Sequence, residues 1–254
     1  MAEVCRGERF WLPTTADTAV AQILETLEDR SGVRVASGGK VGPGDSTAVG
    51  GPSRGLTLPS LADTIREAFT DDHVTLIRVP IGWESDYWVV DSPLSYLGQD
   101  GGGGLGSGPG MAVGAALALR DGDRIPLAIL GDGDFLMGVQ ALWTAAHARV
   151  PLIVFVANNR SYFNDEAHQE AVARTRSRDI SRKGIGQRLD DPAPDIASLA
   201  TSLGLRGIGP VRTPEQLREA VAAARRHYRQ GEAVVVDVLI EQGYPESMNQ
   251  IFDN

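Results

Sequence analysis

Residues 56–240 alternate between continuous apolar runs and segments whose apolar positions recur with helical spacing. The apolar runs show no polar alternation, which is typical of parallel strands covered on both faces. The pattern therefore predicts an α/β fold, with a doubly wound, mainly parallel sheet and helices on both faces. Strands are predicted over residues 74–79, 125–130, 152–157 and 233–239. Helices are predicted over residues 61–69, 111–119, 137–148, 194–203 and 214–230.

The chain before residue 56 follows a different pattern. Residues 16–30 have the apolar spacing of a short amphipathic helix. Residues 37–55 are rich in Gly, Ser and Pro, and they contain too few apolar side chains to form a core. We therefore expect an N-terminal helix and linker over residues 1–55, followed by one folded domain over residues 56–254.

Composition narrows the classes of function. The formal net charge of -9 argues against a nucleic-acid binder, which needs a basic surface. Cys5 is the only cysteine, so an intramolecular disulfide is impossible and a reducing compartment is expected. We see no run resembling a signal peptide and no apolar stretch long enough to cross a bilayer. We expect a cytoplasmic protein without membrane or nucleic-acid partners.

Unusual polar residues follow two successive predicted strands. These segments are Gly131-Asp132-Gly133-Asp134 and Asn158-Asn159-Arg160-Ser161-Tyr162. Because ligands bind at the carboxyl ends of parallel strands, we expect Asp132 and Asn159 to lie side by side at one edge. Carboxylate and amide oxygens suit Mg²⁺, while glycines and a helix expected to begin near Leu136 suit a diphosphate. The sequence therefore predicts a metal-bridged diphosphate site.

Gly-Asp-Gly, followed after a helix and a strand by Asn-Asn, resembles the cofactor motif of thiamine-diphosphate enzymes. The flanking residues, 141–146 and 158–162, are similar to the benzoylformate decarboxylase and acetolactate synthase branch. The resemblance covers about residues 56–240 and implies the domain that binds thiamine diphosphate and Mg²⁺. It implies that Asp132 and Asn159 bind the metal through side chains, and Ser161 through its main-chain carbonyl.

The same resemblance implies contacts to the cofactor. Gly133, Asp134 and Tyr162 would contact the diphosphate. Leu105 matches the apolar residue that holds the cofactor in its bent form, and Gly103 would accept a hydrogen bond from the cofactor's amino group. Asp134 departs from the serine often found at its position, so we expect its carboxylate to turn away from the diphosphate or to approach the metal through water.

Asp165 and His168 are the candidates for proton transfer. Both follow the predicted metal-binding residues, where related enzymes place a helix over the active site. The offset of Asp165 from Asn159 matches a catalytic carboxylate of related decarboxylases. The alternative is a solvated helix start, because acidic residues favour first turns.

A dinucleotide site is a separate alternative, since residues 101–106 match Gly-x-Gly-x-x-Gly. That fingerprint needs a strand directly before it. Residues 89–100 instead contain a proline, a glycine and two aspartates, which disfavours a nicotinamide-dependent oxidoreductase.

The family resemblance implies decarboxylation or carboligation of a 2-oxo acid substrate. In that family a glutamate from a separate pyrimidine-binding domain activates the cofactor. The region before residue 56 is too short to be that domain, so we expect a partner subunit that supplies the glutamate, within a homo- or hetero-oligomer. The alternative is a non-catalytic subunit that binds the cofactor or supports assembly.

Overall fold

A computed structural model of the protein describes residues 55–98 and 104–243. Its strands are β1 (Val74–Leu76), β2 (Ile125–Gly131), β3 (Ile153–Asn158), β4 (Arg206–Val211) and β5 (Val234–Leu239). Its helices are α1 (Leu58–Ala68), α2 (Gly108–Leu119), α3 (Asp132–Gly138), α4 (Leu142–Ala148), α5 (Phe163–Thr175), α6 (Ile196–Ser202) and α7 (Pro214–Arg229). Turns of 3-10 helix lie at Ser85–Tyr87 and Val139–Ala141.

The described residues form one parallel five-stranded sheet in the order β1-β2-β3-β5-β4. In the register between β2 and β3, Gly131 pairs with Ala157. In the next register, Asn158 pairs with Leu239 of β5. The residues that follow β2 and β3 therefore emerge side by side at the carboxyl edge of the sheet, which is where the predicted site requires them.

Helices cover both faces of this sheet, as predicted. On one face, Ile153 and Phe155 of β3 join a core with α1 and α7. On the other face, Val154 and Val156 join a core with α2, α4 and α6. Full burial of such side chains contributes roughly 1.5–3 kcal/mol each. The apolar runs of the sequence therefore supply a rigid layer that carries the polar residues at its edge.

The predicted helix over residues 137–148 is wrong in its start and in its continuity. Helix α3 begins directly after β2, with Gly131 as its N-cap and Asp132 as its first residue. A 3-10 turn then separates α3 from α4. Gly and Asp have weak intrinsic helix propensity, which hid this start, but aspartates stabilise a first helical turn by complementing its positive end.

Strand β4 was not predicted, although most other elements were. Its sequence, Arg-Gly-Ile-Gly-Pro-Val, lacks a continuous apolar run, and most of its residues are exposed or half-buried. Within residues 55–98 and 104–243 its single strand partner is β5, and its register shifts between Ile208 and Val211. An edge strand tolerates Gly and Pro because one of its sides makes no ladder hydrogen bonds.

The helix predicted over residues 16–30 lies outside the described residues, as does nearly all of the linker predicted over residues 37–55. The described part of the chain contains no helix that is both long enough and apolar enough to cross a membrane.

Candidate cofactor and metal site

The predicted metal ligands meet at the carboxyl edge of β2 and β3. The backbone N–H of Ser161 donates to Asp132 Oδ2 at 3.2 Å and to Asn159 Oδ1 at 3.0 Å. Because both oxygens accept a hydrogen bond from the same N–H group, the Asp132 carboxylate and the Asn159 amide lie next to each other. We call residues 158–161 the metal turn, because Asn159 and Ser161 belong to it.

Asp132 is a buried carboxylate whose charge is poorly compensated. Its residue exposure is 3%. Burial raises the pKa of Asp132 to about 6, although backbone N–H groups of Gly133, Arg160 and Ser161 act in the opposite direction. A desolvated carboxylate of this kind is stabilised by a nearby cation. The donor set therefore fits a divalent metal ion.

The chemistry of this donor set also limits which metal fits. Among the described residues, no group of three or more His, Cys, Asp or Glu side chains could hold a metal ion. A site with one carboxylate and one amide oxygen suits Mg²⁺ when phosphate oxygens and water complete its octahedral shell. The residues at this edge thus fit a cation that is bound together with a diphosphate.

Side chains from the sheet interior shape the metal turn. Arg160 has a left-handed backbone with φ of 58°, and its N–H donates to Asn158 Oδ1 at 3.1 Å. Asn158 Nδ2 in turn donates to Asp237 Oδ1 of β5 at 2.8 Å. Burial raises the pKa of Asp237, and the bond from Asn158 opposes that effect. Sequence reasoning missed Asp237, although a lone carboxylate within the apolar run Val234–Leu239 was a usable signal.

Glu166 is a second residue that sequence reasoning missed. This α5 side chain accepts a hydrogen bond from Ser161 Oγ at 3.0 Å and one from Arg188 at 3.3 Å. Its residue exposure is 1%. Glu166 therefore ties the metal turn to α5 and to the segment that carries Arg188. Nothing in the acidic start of α5 distinguished it from its neighbours.

Asp165 and His168, the predicted proton-transfer residues, are both exposed on α5. The backbone N–H of Asp165 donates to the Tyr162 carbonyl at 3.0 Å, within the first turn of the helix. The buried acidic side chain of this turn is Glu166, one residue later. The catalytic role assigned to Asp165 and His168 stays a prediction.

Gly133 and Tyr162 contact each other closely. A Cβ atom at Gly133 would lie 2.3 Å from Cε1 of the Tyr162 ring, so a side chain at this position would collide with the ring. Burial raises the pKa of Tyr162, and the charge of Asp132 adds to this effect. The pair thus closes one side of the space next to Asp132. Their contacts to a diphosphate stay predictions.

The side chain of Asp134 points towards the glycine-rich segment and is hydrogen-bonded there. It accepts hydrogen bonds from Arg78 Nε at 2.8 Å and from the Gly106 N–H at 2.7 Å. Both side chains of the Asp134–Arg78 ion pair are 6% exposed. The contact between Asp134 and the diphosphate stays a prediction. Leu105 of the same segment is 45% exposed, and Gly103 lies outside the described residues.

A cavity of ≈ 200 Å³ extends from Asp132 towards the ends of β5 and β4. Arg160 of the metal turn lines it, together with Asn158 and Asp237. The bond network that shapes the metal turn is therefore accessible from this cavity.

Residues 81–238, more than half of the chain, match the family described as "Thiamine pyrophosphate enzyme, C-terminal TPP binding domain". The chain belongs to this family. The resemblance inferred from Gly-Asp-Gly and Asn-Asn is thereby confirmed. The dinucleotide alternative has no support, since no strand lies in residues 89–98, directly before the glycine-rich segment.

Relatives of this thiamine pyrophosphate domain are acetolactate synthases. The probable acetolactate synthase large subunit of Methanococcus aeolicus is 29% identical over 154 residues, which cover 59% of this chain and 24% of that protein. The acetolactate synthase of Bacillus subtilis (strain 168) is 28% identical over 187 residues, covering 72% of this chain and 30% of that protein. The chain thus spans 24–30% of the length of these two curated relatives.

Solved structures of thiamine-dependent decarboxylases share the fold. The thiamine diphosphate-dependent 4-hydroxybenzoylformate decarboxylase of Rhodococcus jostii RHA1 superposes with a TM-score of 0.58 at 26% identity, over 76% of this chain and 34% of that chain. The benzoylformate decarboxylase of Polynucleobacter necessarius gives a TM-score of 0.61 at 21% identity, over 75% and 34% of the two chains. The latter likeness concerns the fold alone.

Proposed function

We propose that this domain binds thiamine diphosphate together with Mg²⁺, and that it is the diphosphate-binding half of an enzyme acting on 2-oxo acids. One observation carries the proposal: oxygens of Asp132 and Asn159 converge on the N–H of Ser161. In this proposal the two side chains bind Mg²⁺, and Ser161 adds its main-chain carbonyl. A metal ion held there would offset the charges of Asp132 and of a diphosphate.

The remaining cofactor contacts come from segments around the same edge. Gly133 and Tyr162 lie beside Asp132, where they would border the diphosphate, and the backbone of Asp134 belongs to the first turn of α3. An N-terminal helical turn offers backbone N–H groups to anions. Leu105, half exposed, would support the bent cofactor, with Gly103 accepting a hydrogen bond from its amino group.

When bound, thiamine diphosphate supplies a carbon nucleophile and an electron sink for decarboxylation or carboligation. The chain's own residues hold and orient it. Asp165 and His168 are proposed to move protons. The support is their place in the first two turns of α5, which begins directly after Tyr162 and the metal turn.

We propose further that activity requires a pyrimidine-binding domain, carried by a partner subunit that supplies the activating glutamate. The support is that the matched family describes a C-terminal domain that binds thiamine pyrophosphate, and this name implies a further domain in the complete enzyme. Assembly as a homo- or hetero-oligomer and a cytoplasmic location stay predictions of the same proposal.

Calorimetric titration of the full chain with thiamine diphosphate and Mg²⁺ tests cofactor binding. We expect saturable binding that requires the metal. Asp132→Ala should weaken it about 100-fold or more, since even outer-sphere partners of metal ligands contribute 10–100-fold. Asp121→Ala is the matched control, because the Asp121 side chain is 93% exposed. Absence of binding by the unmodified chain would overturn the proposal.

A second experiment separates a catalyst from a non-catalytic subunit. The chain is mixed with a pyrimidine-binding partner co-purified from the native source, and carbon dioxide release from 2-oxo acids is measured. Turnover that needs both proteins supports the catalytic assignment. Cofactor binding without turnover in the assembled complex would favour an assembly subunit, and turnover by the chain alone would refute the need for a partner.

A further inference from the structure

Residues 104–108, called the glycine loop below, pack closely against α3. A Cβ atom at Gly138 would lie 2.1 Å from the Gly106 carbonyl oxygen, and one at Gly106 would lie 2.9 Å from Cβ of Met137. Gly106 also has a φ of 89°, which favours glycine. The backbone of the glycine loop is therefore in contact with α3.

Two buried charged side chains hold the loop. Asp134 Oδ1 accepts the N–H of Gly106 at 2.7 Å and that of Gly108 at 3.3 Å. Arg78, which follows β1, donates from Nη2 to the Gly104 carbonyl at 3.1 Å and from Nε to Asp134 Oδ2. We call Arg78 and Asp134 the loop anchor. It joins the sheet, α3 and the loop through charge-assisted hydrogen bonds, which are the stronger class.

The loop anchor grips the loop on both sides of Leu105. Gly104, immediately before it, is bonded to Arg78, and Gly106, immediately after it, is bonded to Asp134. The Leu105 side chain itself is 45% exposed and thus available to a ligand. The backbone on either side of Leu105 is therefore held by the anchor.

We propose that Arg78 and Asp134 are positioning residues that fix the glycine loop on α3 and thereby set the affinity for thiamine diphosphate. The effect on cofactor affinity rests on the proposed function, whereas the effect on the position of the glycine loop does not. A buried ion pair is weak evidence for a role in stability alone, because well-packed apolar residues often replace such a pair without loss. This property allows the two roles to be separated.

The test uses the full chain in four forms: unmodified, Arg78→Met, Asp134→Leu, and the double variant. Urea unfolding reports stability, and hydrogen exchange followed by NMR reports protection of the Gly106 and Gly108 amides without any ligand. Calorimetry with thiamine diphosphate and Mg²⁺ reports affinity. The double variant Arg206→Met with Glu232→Gln is the control, because it removes a half-exposed ion pair at the opposite edge of the sheet.

Each single variant should be destabilised, since it leaves one buried charge without its partner. The double variant should regain most of the stability, because neither charge remains. Its Gly106 and Gly108 amides should nevertheless exchange about tenfold faster than in the parent, while β3 amides keep their protection. Its cofactor affinity should fall by about tenfold, a loss of about 1.4 kcal/mol.

Two results would overturn the inference. Protection of Gly106 and Gly108 that is unchanged in the stable double variant would show that the anchor does not hold the loop. Lost protection with unchanged affinity would show that the loop position does not matter for the cofactor. If the unmodified chain binds no cofactor, the proposed function fails, and the exchange data still decide whether the anchor holds the loop.

Discussion

Two aspartates of the same helical turn have opposite surroundings. Asp132 and Asp134 both lie in the first turn of α3 and are both buried. Asp134 faces the guanidinium of Arg78, so its charge is balanced within the protein. Among the described residues, the hydrogen-bond donors to Asp132 are backbone N–H groups, and burial raises its pKa to about 6. One carboxylate is thus committed to structure, whereas the other retains capacity for a cation.

This difference shows that residue type and helix position do not assign a role. Both aspartates gain from the positive end of α3, an effect of about 0.3–1 kcal/mol in most settings. The hydrogen-bond partners of each carboxylate decide its role. Asp134 is paired with a charged guanidinium, whereas Asp132 accepts from uncharged backbone N–H groups. Replacing Asp132, or the partner of Asp134, tests whether the two sites differ in this way.

The largest effect is expected from Arg78→Met, which makes the surroundings of Asp134 resemble those of Asp132. The Asp134 carboxylate would stay buried without its cation, and loss of one partner of a buried pair costs about 3–5 kcal/mol. Urea unfolding at pH 7 measures this loss. Arg120→Met removes an exposed ion pair and should cost no more than about 1 kcal/mol. Equal losses in the two variants would contradict the assignment.

An intermediate effect is expected from Asp132→Asn in the protein without cofactor. The pKa of Asp132 is raised from 3.8 to about 6, so its favourable contribution is present in acid and is lost as the pH rises through about 6. Removing the charge should stabilise the protein at pH 7 by up to about 3 kcal/mol and change little at pH 4.

Urea unfolding at both pH values checks this prediction for Asp132→Asn. Asp121→Asn, at an exposed position, should leave stability unchanged at each pH. A variant less stable than the parent at pH 7 would mean that the Asp132 charge is compensated after all, and that the contrast with Asp134 does not exist.

The smallest effect is expected from Glu166→Gln, which weakens the attachment of the metal turn to α5. The variant keeps an acceptor for Ser161 Oγ but loses the charge that faces Arg188 and Lys183. A lost charge-assisted bond at a buried group costs about 1–3 kcal/mol. Thermal unfolding measures this loss of stability. Glu170→Gln is the comparison, because Glu170 forms partly exposed ion pairs with Arg174 and Lys183, and such pairs contribute less than about 1 kcal/mol. A larger loss for Glu170→Gln would reverse this ranking.

Most of the sheet was predictable, because the sequences of buried parallel strands are continuous runs of apolar residues. Strands β1, β2, β3 and β5 all lie within or close to their predicted ranges. Strand β4 was missed because an edge strand carries no such run. The start of α3 was missed because its first residues, Asp132 to Asp134, are poor helix formers that a strand end and an N-cap hold in place.

The proximity of Asp132 and Asn159 was also predictable, since it follows from two successive strands and one crossover. The supporting residues were not. Arg78, Glu166 and Asp237 lie 54, 34 and 105 positions before or after Asp132 in the chain, and none belongs to a local motif. Their contacts appear only when β1, α5 and β5 are packed around the same edge.

The amino-acid sequence alone determined the layered parallel fold, the sheet edge at which the candidate site lies, and the pair of oxygen donors there. The spacing of apolar residues and the ends of strands are local properties, so they can be predicted from residues that are close in the sequence. Packing alone decided that Asp134 is paired with a guanidinium and that Asp132 accepts hydrogen bonds from backbone N–H groups. A charge's state depends on what lies within a few ångströms of it, and those neighbours come from distant parts of the chain.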